Sequence, residues 1–124
     1  MKSIRNEVAA FMAERNWDKQ PPADVAKSIV IEGAELLEHF QWSSFFAEDI
    51  ENKPEIRQDI IDELADVFIY ALQMSILLNC DVDTIIRSKL ARAAKKYPVK
   101  LVKGKASVES YRKIKSQHRR KTGK

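Results

Sequence analysis

The stretch PEIRQDIIDELADVFIYALQMSILL, residues 54–78, decides the fold of this chain. It opens with a proline, which a helix tolerates in its first turn because the missing N–H has no partner there. Apolar residues then occur on nearly every side of the helical projection, which predicts one long α-helix that is buried all round. A chain of 124 residues has few other elements to cover such a helix. The stretch therefore predicts a homo-oligomer, with this helix central to its interface.

Three other helical segments are predicted from apolar periodicity, prolines and capping residues, with Ser3 as the N-cap of the first and Asp81 or Asp83 as the N-cap of the last. They cover roughly residues 3–15, 22–42 and 81–96, so the stretch at 54–78 is the third of four helices. With only three glycines, the chain is short of the turn residues that an all-β fold needs. The predicted fold class is all-α, a four-helix bundle.

The connecting segments are predicted from composition and from the position of Pro98. Residues 43–53 form a connection with a short helical turn at 45–50, and residues 99–106 are expected to be extended or irregular. We expect one domain over residues 1–106. The remaining residues, 107–124, form a basic tail that is expected to be partly helical, over about 107–115, or disordered.

Charge separates this tail from the rest of the chain. Residues 112–124 hold seven cations and no acid, so a net charge of +4 for the whole chain leaves −3 on residues 1–111. Stacking on bases would require aromatic residues among the cations, and few are present. The tail is therefore interpreted as a solvated terminus, and nucleic acid is not the expected partner. The single cysteine, the absence of a signal-like leader and the lack of a long apolar run predict a cytoplasmic protein without a membrane span.

Four carboxylates occupy positions at which unpaired charge is costly. Glu35 and Glu38 lie three residues apart in the second helix, and Glu63 and Asp66 repeat that spacing in the third, so each pair shares a helical face. If the two helices pack antiparallel, the pairs converge, and they repel one another unless a divalent cation lies between them. Hard oxygen ligands favour Mg²⁺, with Mn²⁺ as a substitute. Glu32, one turn before Glu35, is a candidate auxiliary acid.

An aromatic residue follows each acidic pair by one turn. Trp42 comes four residues after Glu38 and Tyr70 four residues after Asp66, where an aromatic ring can stack on a nucleobase. On the fourth helix, Lys89 is a candidate for holding phosphate as a point charge.

Other interpretations of these residues stay open. The acids can form a solvated face paired with cations of the fourth helix, and the aromatics can belong to the core. A di-iron bundle requires Glu-x-x-His on two helices, whereas the third helix has no histidine. The alternative function is a non-catalytic helical interaction module whose basic tail contacts nucleic acid.

The acidic stretches ELLE at 35–38 and ELAD at 63–66 resemble the E-x-x-E…E-x-x-D signature of the MazG-like all-α nucleoside triphosphate pyrophosphohydrolases, and most closely the dCTP pyrophosphatase branch. The stretches ERNW at 14–17 and KYPV at 96–99 support the resemblance, which covers about residues 3–105. Two departures are that Ala34 replaces a second acid common before Glu35, and that Ala93 replaces an asparagine frequent in the dCTP branch.

The resemblance implies a MazG-like bundle that cleaves a nucleoside triphosphate, such as dCTP or a modified analogue, to the monophosphate and pyrophosphate. It implies that the four acids bind Mg²⁺ and that a water ordered by the metal attacks phosphorus, with Glu35 or Glu38 taking the proton. It further implies a dimer or a tetramer with active sites formed across subunits, and a role in cleaning the nucleotide pool. Residues at the positions of Trp17, Trp42 and Tyr70 line the base pocket in that branch, and Tyr97 is also counted among the substrate-binding residues.

Overall fold

A computed structural model describes residues 3–102 and 108–122 of the chain, and these residues form helices and the connections between them. The all-α prediction is confirmed. The seven helices of the described residues are α1 (Ile4–Glu14), α2 (Pro22–Glu38), α3 (Ala47–Glu51), α4 (Pro54–Leu77), α5 (Val82–Lys96), α6 (Val99–Val102) and α7 (Val108–Thr122).

The four predicted helices correspond to α1, α2, α4 and α5. The difference lies in the short elements: residues 99–102 are helical where an extended chain was expected, because Pro98 opens a new turn and its carbonyl accepts from the amide of Leu101 at 2.9 Å. The last helix continues to Thr122 and does not end near Lys115. The rest of the expected irregular segment, residues 103–107, lies outside the described residues.

Local chemistry sets the helix ends. The Ser3 hydroxyl accepts from the amide of Asn6, and the Asp81 carboxylate accepts from the amide of Thr84, so both act as the predicted N-caps. Asn16 and Asn79 have positive φ angles of 58° and 49° directly after α1 and α4. Asparagine is one of the few residues that adopts this left-handed conformation readily, and it ends each helix there.

The chain divides into two compact units, residues 1–80 and 81–124. In the first unit α4 is central, because α1, α2 and α3 all contact it. The fully buried apolar side chains of the described residues are Val8, Met12 and Val25. Gln73 and Ser75 of α4 are buried beside them: Gln20 donates to the Gln73 side-chain oxygen at 3.4 Å, and the Ser75 hydroxyl donates to the carbonyl of Leu72 at 2.7 Å.

Large apolar side chains remain exposed on the first unit. Val30 and Leu37 on α2 are 71% and 66% exposed, and Phe68 on α4 is 60% exposed. The single chain therefore does not bury α4 on all sides, although the sequence of α4 is apolar nearly all round. In the second unit α5 and α7 contact each other. No helix of the described residues combines the length and apolar character that a membrane crossing requires.

Candidate metal centre

The packing of α2 against α4 brings acidic side chains of the two helices together. Glu32 of α2 and Glu63 and Asp66 of α4 each offer one carboxylate oxygen, and these oxygens all lie within 4.8 Å of one another. All three side chains are half-buried. Because water is partly excluded there, repulsion among the three carboxylates is less screened than on an open surface.

Glu35 completes the group. Its side chain is half-buried and lies within hydrogen-bonding reach of both Glu32 and Glu63. Burial raises the pKa of Glu32 to about 7, and the hydrogen bond with Glu35 and the charges of Glu35, Asp66 and Glu63 act in the same direction. Burial likewise raises the pKa of Glu63, followed by the contact with Glu35, while His39 acts in the opposite direction. In both groups burial is the largest cause, and the negative charge of the neighbouring carboxylates adds to it.

Two carboxylate oxygens of the group have no hydrogen-bond partner among the described residues. They are Oε2 of Glu32 and Oε2 of Glu63, and both are buried. A buried polar atom without a partner costs free energy, and a charged one costs more. Between Lys27 and Arg87 the sequence has only two Lys or Arg residues, Lys53 and Arg57, so it provides little positive charge to these helices.

The donor set fits a hard divalent cation. Three converging carboxylates with a fourth beside them offer only oxygen ligands, which suits Mg²⁺ and Mn²⁺ better than Zn²⁺. A cation held there would give the partnerless Oε2 of Glu63 a ligand bond and offset the repulsion that, together with burial, raises the pKa of Glu32 and Glu63.

The four predicted ligands differ in how buried they are and in whether they belong to the clustered acids. Glu63 and Asp66 are brought together as expected, and Glu35 lies beside them. Glu38 is the last residue of α2 and its side chain is exposed, outside the three clustered acids. Glu32, predicted as an auxiliary acid, is one of the clustered three. Positions 32, 35 and 38 form two overlapping pairs of the same spacing, and spacing alone does not choose between them.

The predicted base-binding aromatics lie on three separate segments of the first unit. Tyr70 is half-buried on α4, one turn after Asp66. Trp42 follows α2 and is 89% exposed. Trp17 is 44% exposed and its ring contacts the edge of Phe11, with centroids 5.7 Å apart.

The two remaining substrate-binding candidates belong to the second unit. Lys89 is exposed on α5, and Tyr97 is the C-cap of that helix, where the Lys96 ammonium lies 5.4 Å from its ring centre. Their roles toward substrate stay predictions.

The titration of Glu32 predicts how the stability of the metal-free protein depends on pH. The carboxyl titrates at 4.5 in the unfolded chain and at about 7 in the fold, so the folded protein holds more protons between these values. The free energy of unfolding should therefore fall as pH rises through this window. Urea unfolding in the presence of a chelator at several pH values measures this free energy. Glu32→Gln should make its decrease with pH smaller. An identical pH dependence in both proteins would contradict the assignment.

Comparisons with known proteins identify the family to which this chain belongs. A sequence model of the MazG-like family matches residues 27–112. The chain is 33% identical over 112 residues to proteins named dCTP pyrophosphatase 1 from Rattus norvegicus and Mus musculus, covering 86% of this chain and 64% of each relative. It therefore spans slightly less than two thirds of their length. The crystal structure of a pyrophosphatase from Archaeoglobus fulgidus superposes with a TM-score of 0.67 at 31% identity, covering 77% of this chain and 89% of that one.

Proposed function

Because the chain belongs to the MazG-like family, we propose that it hydrolyses nucleoside triphosphates to the monophosphate and pyrophosphate. The preferred substrates are deoxynucleotides such as dCTP or its modified analogues, by analogy with the named relatives. One structural observation carries the proposal: two buried carboxylate oxygens without partners lie within a group of like charges. A site of this kind suits a divalent cation that in turn binds phosphates.

The proposed ligands are Glu35, Glu38, Glu63 and Asp66. Mg²⁺ usually keeps several positions for water and substrate phosphates, so its site must open to solvent on one side. Glu38 is exposed at the end of α2, whereas Glu32 has its Oε2 atom buried, so we take Glu38 as the ligand that faces solvent. We assign Glu32 to positioning, because Glu35 lies within its hydrogen-bonding reach and a hydrogen bond between them would fix the direction of the Glu35 carboxylate.

The groups of the site have different roles in the proposed hydrolysis. Mg²⁺, when bound, neutralises phosphate charge and makes water more acidic. Glu35 or Glu38 accepts the proton of the attacking water as general base. The water oxygen forms a bond to phosphorus, the bond between the α- and β-phosphates breaks, and pyrophosphate leaves. The remaining acids hold their positions because α2 and α4 pack together.

Five further residues are proposed to bind the substrate. Trp17, Trp42 and Tyr70 are proposed to line the base pocket, and their exposed or half-buried rings are available for stacking. Lys89 is proposed to hold phosphate. Tyr97, the C-cap of the same helix, is proposed as a further substrate-binding residue. The proposed role is removal of unwanted nucleotides from the pool in the cytoplasm, where a single free cysteine is stable.

We further propose a homo-oligomer, a dimer or tetramer assembled through α4. The helix presents Leu64 and Phe68 to solvent in the single chain, at 40% and 60% exposure. Exposed apolar area of this kind favours association because burial is worth about 25 cal/mol per Å². An apolar face that the fold leaves uncovered is typical of an interface.

The oligomer makes a prediction about mass in solution. The native chain should elute with about two or four times the protomer mass of 14.3 kDa, as measured by light scattering after size exclusion. Phe68→Glu should shift it toward the protomer, because a charge would be buried in the interface. Phe46→Glu is the matched control: Phe46 is 78% exposed but lies at the start of α3, so this variant should keep the native mass. A native chain that elutes as a protomer would contradict the proposal.

Pyrophosphate release tests the proposed reaction. Canonical and modified dNTPs and NTPs are incubated with the full chain, with and without Mg²⁺, and pyrophosphate is measured. Release that requires Mg²⁺ and favours one base is the expected result. No release from any triphosphate would overturn the proposed function and leave the interaction module as the better account of the chain.

A further inference from the structure

Charge is distributed very unevenly between the two compact units. The first unit, residues 1–80, has 7 Lys and Arg against 15 Asp and Glu, whereas the second unit, residues 81–124, has 15 against 3. The units therefore carry net charges of −8 and +12 within a chain whose total is only +4. A basic unit of this size produces a strong positive field at its surface.

Eleven of the fifteen Lys and Arg residues of the second unit lie on two helices that contact each other, α5 and α7. On α7, Arg112, Lys113, Arg119 and Arg120 are exposed, and with about 3.6 residues per turn they fall on one half of the helix. Ile114, on the opposite half, is partly buried. The helix is thus amphipathic, with one side basic and exposed.

The second helix adds to this surface. Lys89, Arg92 and Lys95 of α5 are all exposed. Arg87 is already paired with Asp83 at 2.8 Å, and Asp81 caps the helix. With only three acids among residues 81–124, ion pairs within the unit can neutralise only a small part of its positive charge.

We propose that the second unit binds the phosphate backbone of duplex nucleic acid, without sequence preference. Its α7 is about 22 Å long at 1.5 Å per residue. Over that length duplex DNA carries about 13 phosphate charges, enough to pair with every exposed cation of the helix. The solvated terminus expected from the sequence alone does not account for a basic helix that packs on a second basic helix.

Two other polyanionic partners fit these helices less well. A membrane-surface helix needs several Trp, Phe or Leu residues on its apolar side, and residues 112–122 contain only Ile114 as an apolar residue. The acidic unit of a second copy would supply a net charge of −8, but its carboxylates include the group assigned to the metal centre.

Fluorescence anisotropy of the full chain with a labelled duplex of about 20 base pairs tests the proposal. We expect a dissociation constant between about 10⁻⁶ and 10⁻⁴ M near physiological salt, tightening steeply as salt is lowered. Arg119→Gln/Arg120→Gln should weaken binding and reduce the slope of log K against log salt by about 2. Lys19→Gln/Lys27→Gln removes the same charge from the first unit and should leave that slope unchanged.

Three results would overturn the proposal. The first is an absence of duplex binding at about 50 mM salt with micromolar protein. The second is binding that both double variants weaken equally, which would reflect net charge and not this surface. The third is capture of the protein by phosphatidylglycerol vesicles, or salt-sensitive self-association, that depends on Arg119 and Arg120 while duplex does not bind. Circular dichroism of both double variants confirms that they keep their helices.

Discussion

Replacing Asp66 with asparagine should lower turnover by on the order of a thousandfold, because a metal site contributes several kcal/mol and each 1.36 kcal/mol is a factor of ten in rate. Asp66 lies among the three clustered acids, and its carboxylate is one of the two proposed ligands on α4. The amide keeps the shape of the side chain but loses its charge. The metal-free variant should fold at least as well as the native chain, because one repulsive charge is gone.

Asp62→Asn is the control for this change. Asp62 is exposed on α4, one turn before Asp66, and accepts a hydrogen bond from Gln58 at 2.8 Å. The substitution removes the same charge from the same helix but outside the group, so turnover should stay within about twofold, as for a surface site. Steady-state rates at saturating Mg²⁺, together with unfolding curves, separate loss of catalysis from loss of fold. Full activity in Asp66→Asn would rule out this ligand set.

A pair of substitutions on α2 should give the second-largest difference. Glu38→Gln should lower turnover about a hundredfold and raise the Mg²⁺ concentration needed for half-maximal rate, because it removes a proposed ligand. Glu32→Gln should keep turnover within a few-fold, because the amide can still donate a hydrogen bond to Glu35. Glu32→Ala cannot donate this hydrogen bond, so its turnover should fall further than that of Glu32→Gln.

Magnesium titration of the rate for each α2 variant is the measurement. The opposite order, with Glu32→Gln inactive and Glu38→Gln near native, would show that the clustered acids are themselves the ligands. In that case Glu32 would take the place of Glu38 among the proposed metal ligands. Equal losses in both variants would contradict the assignment of Glu32 to positioning.

The helices could be predicted because their signals are local. Pro54 and the apolar run behind it place α4 correctly, and Ser3 and Asp81 cap their helices as expected. The short α6 was missed because the sequence gives four residues too little pattern to show a period. The run of lysines and arginines in α7 predicts a frayed end, but both residue types form helices well, and the helix continues to Thr122.

The candidate site was only partly accessible from sequence. Glu63 and Asp66 stood out because acids are costly in an apolar helix, and that argument needs no coordinates. The choice among Glu32, Glu35 and Glu38 depends on how α2 is rotated against α4. The apolar pattern does not fix that rotation here, because apolar residues occur on both the buried and the exposed side of α2. Val25 is buried, for example, while Val30 is 71% exposed.

The most direct test of the central claim is ³¹P NMR of dCTP incubated with the full chain, with Mg²⁺, with a chelator, and with Asp66→Asn in place of the native protein. The account predicts resonances of dCMP and pyrophosphate only for the native protein with Mg²⁺, because the carboxylate group of α2 and α4 then holds the cation that binds the phosphates. Other triphosphates are tested in the same way if dCTP is inert. Appearance of a nucleoside diphosphate and phosphate, or equal cleavage in the chelator, would contradict it.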